Sequence, residues 1–316
     1  EMLPKEEGGA VVRTSHGTYS ARVVVDASGL KGVPFAPAPP VPRHELCVAA
    51  QQVRELTDLD AARRFFDGHG VASGDTLCFT GVTGGYSIVN VRLDLDRGVV
   101  NILTGAIPGA GHKSGPQLIT DFVERHDWVG APRFGGSRAI PLMPPLARLD
   151  EGPLVRVGDS GRQVFAAHGS GIGAQLIAAR QLADVLADGG TPWDYTVQWQ
   201  KKWGGHFCGS VAFARFSRSL EPEALRDLFA SGLMAPAATG RTLAQRRMGL
   251  GPADLPDLPR MLMGAFRAPG WLGKLAPVAS AMARLELHHT RFPSTPAGIT
   301  SWERHRNKLL DAILKE

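Results

Sequence analysis

The sequence has little cysteine, no block of one charge sign and no long apolar stretch. Its three cysteines, Cys47, Cys78 and Cys208, lie far apart and never form a C-x-x-C pair. That argues against a disulfide framework or a zinc site, and makes reduced, packed thiols in a cytoplasmic protein the expectation. No apolar run approaches the roughly 20 residues of a membrane helix, and no signal-peptide pattern stands at the start. Basic residues exceed acidic ones by 35 to 30, but they are scattered, with short pairs at Arg63–Arg64, Lys201–Lys202 and Arg246–Arg247. Without a basic block or an aromatic-interleaved basic stripe, nucleic-acid binding is not expected. His44, His112, His126, His168 and His206 show no metal-ligand spacing, so no metal is expected. No Ser/His/Asp or Cys/His constellation has supporting context, and no catalytic side chain is named.

What is present is an ordinary globular composition, 43% apolar and 21% charged over 316 residues, ample for two domains. "AVVRTSHGTYSARVVVDASG" reads as a hairpin, with strands near Ala10–Thr14 and Tyr19–Asp26 around a turn at Ser15–Gly17. The run Val23–Val25 predicts burial on both faces. The proline-rich "VPFAPAPPVPRHE" that follows excludes helix and central strand, and reads as a crossing between domains. From Leu46 to about Ile107, alternating β-branched runs predict a mostly antiparallel sheet interrupted by the helix "DLDAARRFFDGHG". An amphipathic helix begins near Pro116, followed by an irregular "PRFGGSRAIPLMPP" and the strand "PLVRVGD". Beyond Gly189 helical patterns dominate.

"GDSGRQVFAAHGSGIGAQ" carries Gly169-Ser170-Gly171-Ile172-Gly173-Ala174, which fits G-x-G-x-x-G/A. A dinucleotide loop needs its first glycine at the strand end, because the turn delivers pyrophosphate to the helix N-terminus. Here the strand ends at Val157, well before Gly169. No acidic ribose ligand follows on a second strand either. The stretch instead reads as a strand ending in Gly158-Asp159, a loop of about ten residues, and a G-x-G-I turn into a helix of small residues.

This arrangement resembles the second flavin-contacting segment of FAD-dependent oxidoreductases of the p-hydroxybenzoate hydroxylase fold, most closely the geranylgeranyl reductase family. That family's pattern is G-D-A-A-G-x-x-x-P-x-x-G-x-G-I before an alanine-rich helix. Gly158, Asp159, Gly169, Gly171 and Ile172 match, and Gly161 falls one place early; Ala166 replaces a proline, and Ala178-Ala179 replace Ser-Gly. "ARVVVDASGLKG" resembles the strand that lies under the adenosine and pyrophosphate, with Asp26, Ala27, Ser28 and Gly29 on its motif and Leu30-Lys31-Gly32 where Ser and Arg often follow. The resemblance covers roughly residues 8–190. Members open with a strand, a G-x-G-x-x-G loop and a helix. The sequence begins at Glu1 with no such unit, and the expectation is a chain lacking it.

The resemblance implies an α/β (α+β) fold: a partial, discontinuous Rossmann-like FAD-binding domain at 1–43 and 145–192, an inserted antiparallel-sheet substrate domain at 44–144, and a helical C-terminal region at 193–316. It implies FAD as cofactor, with NAD(P)H a candidate electron donor. Asp26, Ser28, Gly29, Gly158, Asp159, Gly169, Gly171, Ile172 and Gly173 are the implied cofactor contacts. Asp159 would accept a ribityl hydroxyl, and the helix N-terminus at Gly171–Gly173 would face the flavin pyrimidine edge. In the sheet domain the family carries Tyr-x-Trp-x-Phe-Pro; "GGYSIVNV" keeps Tyr86 and lacks the rest. Tyr86, Arg138 of "GGSRAIPL", and His168 are the candidate substrate contacts. The implied reaction is reduction of a carbon–carbon double bond or hydroxylation of a small lipophilic or aromatic substrate. The alternative is a non-catalytic remnant that does not hold FAD. The Met-rich "LPRMLMGAFRAPGWLGKLAPVASAMARLEL" is open to three readings: helix packing, a lipophilic pocket wall, or peripheral membrane contact.

Overall fold

The computed structural model describes residues 1–5, 8–234, 240, 244–245, 256 and 258–314; the Arg246–Arg247 pair lies outside them. The chain divides into two units, one of residues 1–40, 141–216 and 228–316 and one of residues 41–140 and 217–227.

In the first unit β1 (Met2–Pro4), β2 (Ala10–Thr14) and β3 (Gly17–Ala21) form a meander. The second expected strand is divided in two. β2 begins at Ala10 opposite Ala21, so β3 has no ladder to continue. The chain leaves this sheet, and the Val24 N–H donates to Pro153 O at 2.9 Å. β4 (Val24–Asp26) then joins a second sheet, of order β10 (Asp150–Glu151), β11 (Leu154–Arg156), β4, in which β11 and β4 run parallel. β4 is an edge strand, and Val25 is 49% exposed, against the burial expected from the valine run. The proline-rich segment is anchored by Arg156, which donates to Ala36 O at 3.0 Å, and by Arg162, which donates to Pro39 O at 2.7 Å.

This unit's core lies between β11, the loop after it, and α3 (Ile172–Ala187), α4 (Pro192–Trp199) and α5 (Gly205–Ser217). α3 buries Ala174, Ala178, Leu182 and Val185, a helical stripe of small residues followed by larger ones that lets its N-terminal half pack close. A π-helical turn at Gln200–Gly204 joins α4 to α5. α6 (Pro222–Ser231) crosses from one unit's residues into the other's. α7 (Leu258–Arg267), α8 (Pro269–Thr290) and α9 (Ile299–Asp311) complete the described helices of the first unit. None of the described helices is long and apolar enough to cross a membrane.

The second unit is a five-stranded sheet of order β6 (Thr76–Thr80), β7 (Ser87–Asp94), β8 (Val99–Ala106), β5 (Leu46–Leu56), β9 (Val129–Pro141). Val89, Val91, Val100 and Ile102 pack one face against Ala62 and Phe66 of α1 (Leu59–Gly68) and Leu118, Ile119 and Phe122 of α2 (Gly115–Glu124). The segment expected to be irregular is the 13-residue β9. Its glycines permit the pairing: a Cβ on Gly135 would overlap Gln51 O, and one on Gly130 would stand 2.8 Å from Thr57 Cγ2. Residues 217–227 are held here by Arg218, whose Nη1 lies 3.2 Å from the buried Glu45 Oε2 and donates to His44 O at 2.9 Å.

Candidate cofactor site

Two strand ends come together in the first unit. β11 pairs with β4 in register Arg156 to Asp26; past that pair the Val157 N–H donates to Asp26 O at 3.0 Å and Ser160 Oγ to the same oxygen at 2.7 Å. Because the strands are parallel, both carboxyl ends point the same way, and the turns Asp26–Gly29 and Gly158–Gly161 stand side by side. Such ends are where α/β sheets place ligands. Asp26 is 1% exposed. Its Oδ1 accepts from Ser28 N at 3.0 Å and Ser28 Oγ at 2.6 Å, an Asx turn. Its Oδ2 is buried with no hydrogen-bond partner among the described residues, an arrangement that costs about 1–3 kcal/mol unless something donates to it. Gly29 closes the turn at φ +86°.

The second turn is a short 3-10 segment, Gly158–Gly161. Gly158, at φ +78°, donates its N–H to Gln163 Oε1 at 2.8 Å, and Gln163 Nε2 donates to the buried Tyr195 hydroxyl at 2.8 Å. Arg162 takes the left-handed conformation at φ 56°, and Val164, Phe165 and Ala166 are fully buried. Phe165 and Ser170 exchange backbone hydrogen bonds at 2.9 and 3.3 Å, and Ala166 N donates to Ser210 Oγ at 2.9 Å. The ten-residue loop is therefore folded back on itself and pinned to α4 and α5. Gly169 supplies the left-handed step, φ +67°, that returns the chain to α3.

α3 begins beside Asp159. Gly171 precedes it without a side-chain cap, so the first N–H groups and the positive helix end are available to an acceptor. A Cβ on Gly171 would stand 3.6 Å from Asp159 Oδ1 and 3.0 Å from Gln175 Nε2; one on Gly158 would stand 3.0 Å from Gln175 Cγ. Gln175 Nε2 donates to Asp159 Oδ1 at 3.0 Å. Burial raises the Asp159 carboxyl above the ordinary aspartate value, with the Gln175 hydrogen bond opposing it. Ile172, on the first turn, is 79% exposed, and Leu176 follows at 68%. Gly173 faces Gln245, whose Nε2 donates to Ser170 Oγ at 2.6 Å. His168 is half-buried, its ring 5.0 Å from Phe165.

The structure thus brings together Asp26, Ser28, Gly29, Gly158 and Asp159, and sets Gly169, Gly171, Ile172, Gly173 and His168 on one loop and helix start in the same unit. Tyr86 and Arg138 belong to the second unit. Tyr86 is 5% exposed and its hydroxyl has no hydrogen-bond partner among the described residues; burial, then Cys47, holds it well above the ordinary tyrosine value. Arg138 is exposed on β9 and donates to Ser137 O at 2.9 Å. Burial pushes the Cys47 thiol up to about 12 and that of Cys208 to about 11, so neither offers a thiolate near neutrality. Among the described residues no group of three or more His, Cys, Asp or Glu could hold a metal. Sequence reasoning missed Gln175, Gln163, Ser160 and Gln245. Only Gln175 had a signal, as the polar residue in the first turn of an otherwise alanine-rich helix.

No family profile matches the chain. A digeranylgeranylglycerophospholipid reductase of Sulfolobus acidocaldarius is 24% identical over 188 residues, 57% of this chain. The chain spans 41% of that relative's length. Among solved structures, a geranylgeranyl bacteriochlorophyll reductase-like protein of Thermoplasma acidophilum superposes with a TM-score of 0.59 at 14% identity, over 88% of this chain and 68% of the other. A flavin-dependent halogenase from Brevundimonas sp. BAL3 superposes at 0.50 and 14%, over 96% and 63%. With parallel strand ends, a Gly-Asp turn and a glycine-started helix in the order the motif requires, the chain has the fold of geranylgeranyl reductase-like FAD-dependent oxidoreductases.

Proposed function

We propose that this chain acts as an FAD-dependent oxidoreductase that reduces a carbon–carbon double bond or hydroxylates a small lipophilic or aromatic molecule. The observation that carries the reading is Asp159 beside Gly171, a carboxylate next to an uncapped helix start with no Cβ between them. The residues fit a flavin. Asp159 is an acceptor for a ribityl hydroxyl. The N–H groups at Gly171–Gly173 and the positive end of α3 suit the electron-rich pyrimidine edge. The Asp26–Gly29 turn, with a buried carboxylate oxygen awaiting a donor, would lie at the adenosine and pyrophosphate end. The bound flavin would supply the hydride or electron transfer.

The protein's part is to bind, orient and tune. A positive helix end near the pyrimidine edge favours the reduced, more negative cofactor. Residues 1–43 and 145–192 are assigned to flavin binding and 44–144 to the substrate. Tyr86, a protonated and unpartnered hydroxyl, is assigned as a donor to the substrate, and Arg138 and His168 as further contacts. The reductase name of the Sulfolobus relative supports a lipophilic substrate, and NAD(P)H is a candidate electron donor. The test is titration of the purified chain with FAD, followed by visible absorbance and quenching of flavin fluorescence. A yellow, stoichiometric complex weakened by Asp159→Ala is expected. A colourless protein that ignores added FAD overturns the reading for this chain.

A further inference from the structure

We propose that the sheet unit carries a second small-molecule site, a groove between α1, α2 and the edge strand β6 that takes an aromatic carboxylate. The groove lies wholly within residues 41–140, holds about 530 Å³ and falls within the usual size of ligand pockets, roughly 300–1,000 Å³. Side chains alternate across a strand. Phe79 and Val89, paired opposite each other, line the groove, and Val89 belongs to the core packed against the helices. The groove therefore opens on the helix-covered side of the sheet, and Ile88 and Asn90 point to the other side.

Its walls are aromatic. Phe65 of α1 has its ring 4.7 Å from His69 and 4.7 Å from His126, Phe122 is 4.3 Å from His126, and Phe79 is 5.4 Å from His69. Phe65 and Phe79 are only partly buried although both pack on the core, so part of their ring surface is left for a planar guest, for which offset or edge contacts are favourable. One end is charged, and the balance there is positive. Asp121 Oδ2 already meets Lys113 Nζ at 2.7 Å, while Arg125 reaches the same oxygen only at 3.9 Å and its side chain is 67% exposed. The Arg125 guanidinium is therefore free to turn to a second carboxylate, which it can bind bidentately. His69 Nδ1 is 2.8 Å from Phe65 O and so carries the proton, which fixes that ring's orientation at the rim. Burial first, then Arg125 and His69, hold the His126 imidazole below its ordinary value, with Asp127 opposing them.

The probe is 2-naphthoate, with 2-naphthylmethanol as its uncharged counterpart, titrated into the full chain by calorimetry. Binding is the readout, so the result does not depend on whether the protein holds FAD. Saturable one-site binding of naphthoate is expected. Arg125→Gln, an exposed and structurally mild change, should weaken it about tenfold, and the alcohol should be weaker by a similar factor, about the worth of one charge-assisted contact. Val82→Trp, at a rim residue that is 38% exposed, should fill the groove and remove binding. The proposal is overturned by absence of saturable binding to the unaltered protein, by an affinity indifferent to both substitutions, or by equal affinity for the alcohol.

Discussion

Gln175 and Asp159, sixteen residues apart, are joined by a hydrogen bond of 3.0 Å from the amide Nε2 to carboxylate Oδ1. The bond ties the first turn of α3 to the turn after β11. It occupies one oxygen of a carboxylate that burial already disfavours as an anion.

The first prediction concerns that charge. A carboxyl whose value is raised on folding binds more protons in the folded state, so its ionisation is a penalty that grows as pH rises above the ordinary aspartate value of 3.8. Asp159→Asn keeps an acceptor for Gln175 and removes the charge. It should raise the thermal midpoint at pH 7–8, with the advantage vanishing below about pH 4, while weakening flavin binding. A lower midpoint at pH 8 than at pH 4, relative to the unaltered protein, would contradict the assignment.

The two glycines flanking this bond separate stability from binding. Gly158→Ala forces an L residue to φ +78° and should lose about 1–2 kcal/mol in urea unfolding. Gly171 has no positive φ, and its added Cβ meets the amide nitrogen at the far end of the long Gln175 side chain, at 3.0 Å. Gly171→Ala should therefore change stability by less than about 1 kcal/mol, yet place a methyl beside Asp159 and reduce FAD affinity. Equal affinity in Gly171→Ala and the unaltered protein would remove this turn from the cofactor site.

Where one face is buried and the other is not, the pattern was readable. β7 alternates from Ser87 to Asp94, and α1 and α2 show their apolar stripes in the sequence itself. β9 escaped because Pro132, Gly135, Gly136 and Pro141 read as breakers, whereas here glycine is what lets the strand lie against Gln51 and Glu55. Val23–Val25 misled for the opposite reason: β-branched residues suit any strand, and only the sheet order shows that β4 is an edge. In the site, Asp159 and its glycines were legible because they are close in sequence and act through backbone shape. Gln163 to Tyr195, Ser160 to Asp26 and Arg162 to Pro39 join residues 32 to 134 positions apart, and no local pattern announces such pairs.

Arg218 and Glu45 make a third test. Their side chains are 13% and 4% exposed, and breaking one half of a buried pair usually costs about 3–5 kcal/mol. Arg218→Met should fall near the upper end of that range in urea unfolding, because the His44 carbonyl also loses its donor. The double change with Glu45→Leu should recover a substantial part of the loss. Additive losses would show that the pair is not coupled.

Acid sensitivity should concentrate at His289. The residue is 1% exposed on α8, with its ring edge-on to Trp302 at 4.7 Å, and Gly204 leaves room for it, since a Cβ there would collide with the ring. Burial first, then the charges of Arg306 and His288, hold its value well below 6.5, with a Gln200 backbone contact opposing them. The folded state thus keeps the ring neutral, while the unfolded chain takes up a proton below about pH 6.5. Because the unfolded state binds the extra proton, stability is level above that pH and declines as pH falls beneath it, by up to about 1.4 kcal/mol per pH unit for one proton. His126 and His288 are shifted the same way and add to the slope. Urea unfolding at pH 8, 6 and 5 should show this decline, and His289→Phe, which keeps the ring packed on Trp302, should flatten it. An unchanged slope in that variant would place the acid sensitivity elsewhere.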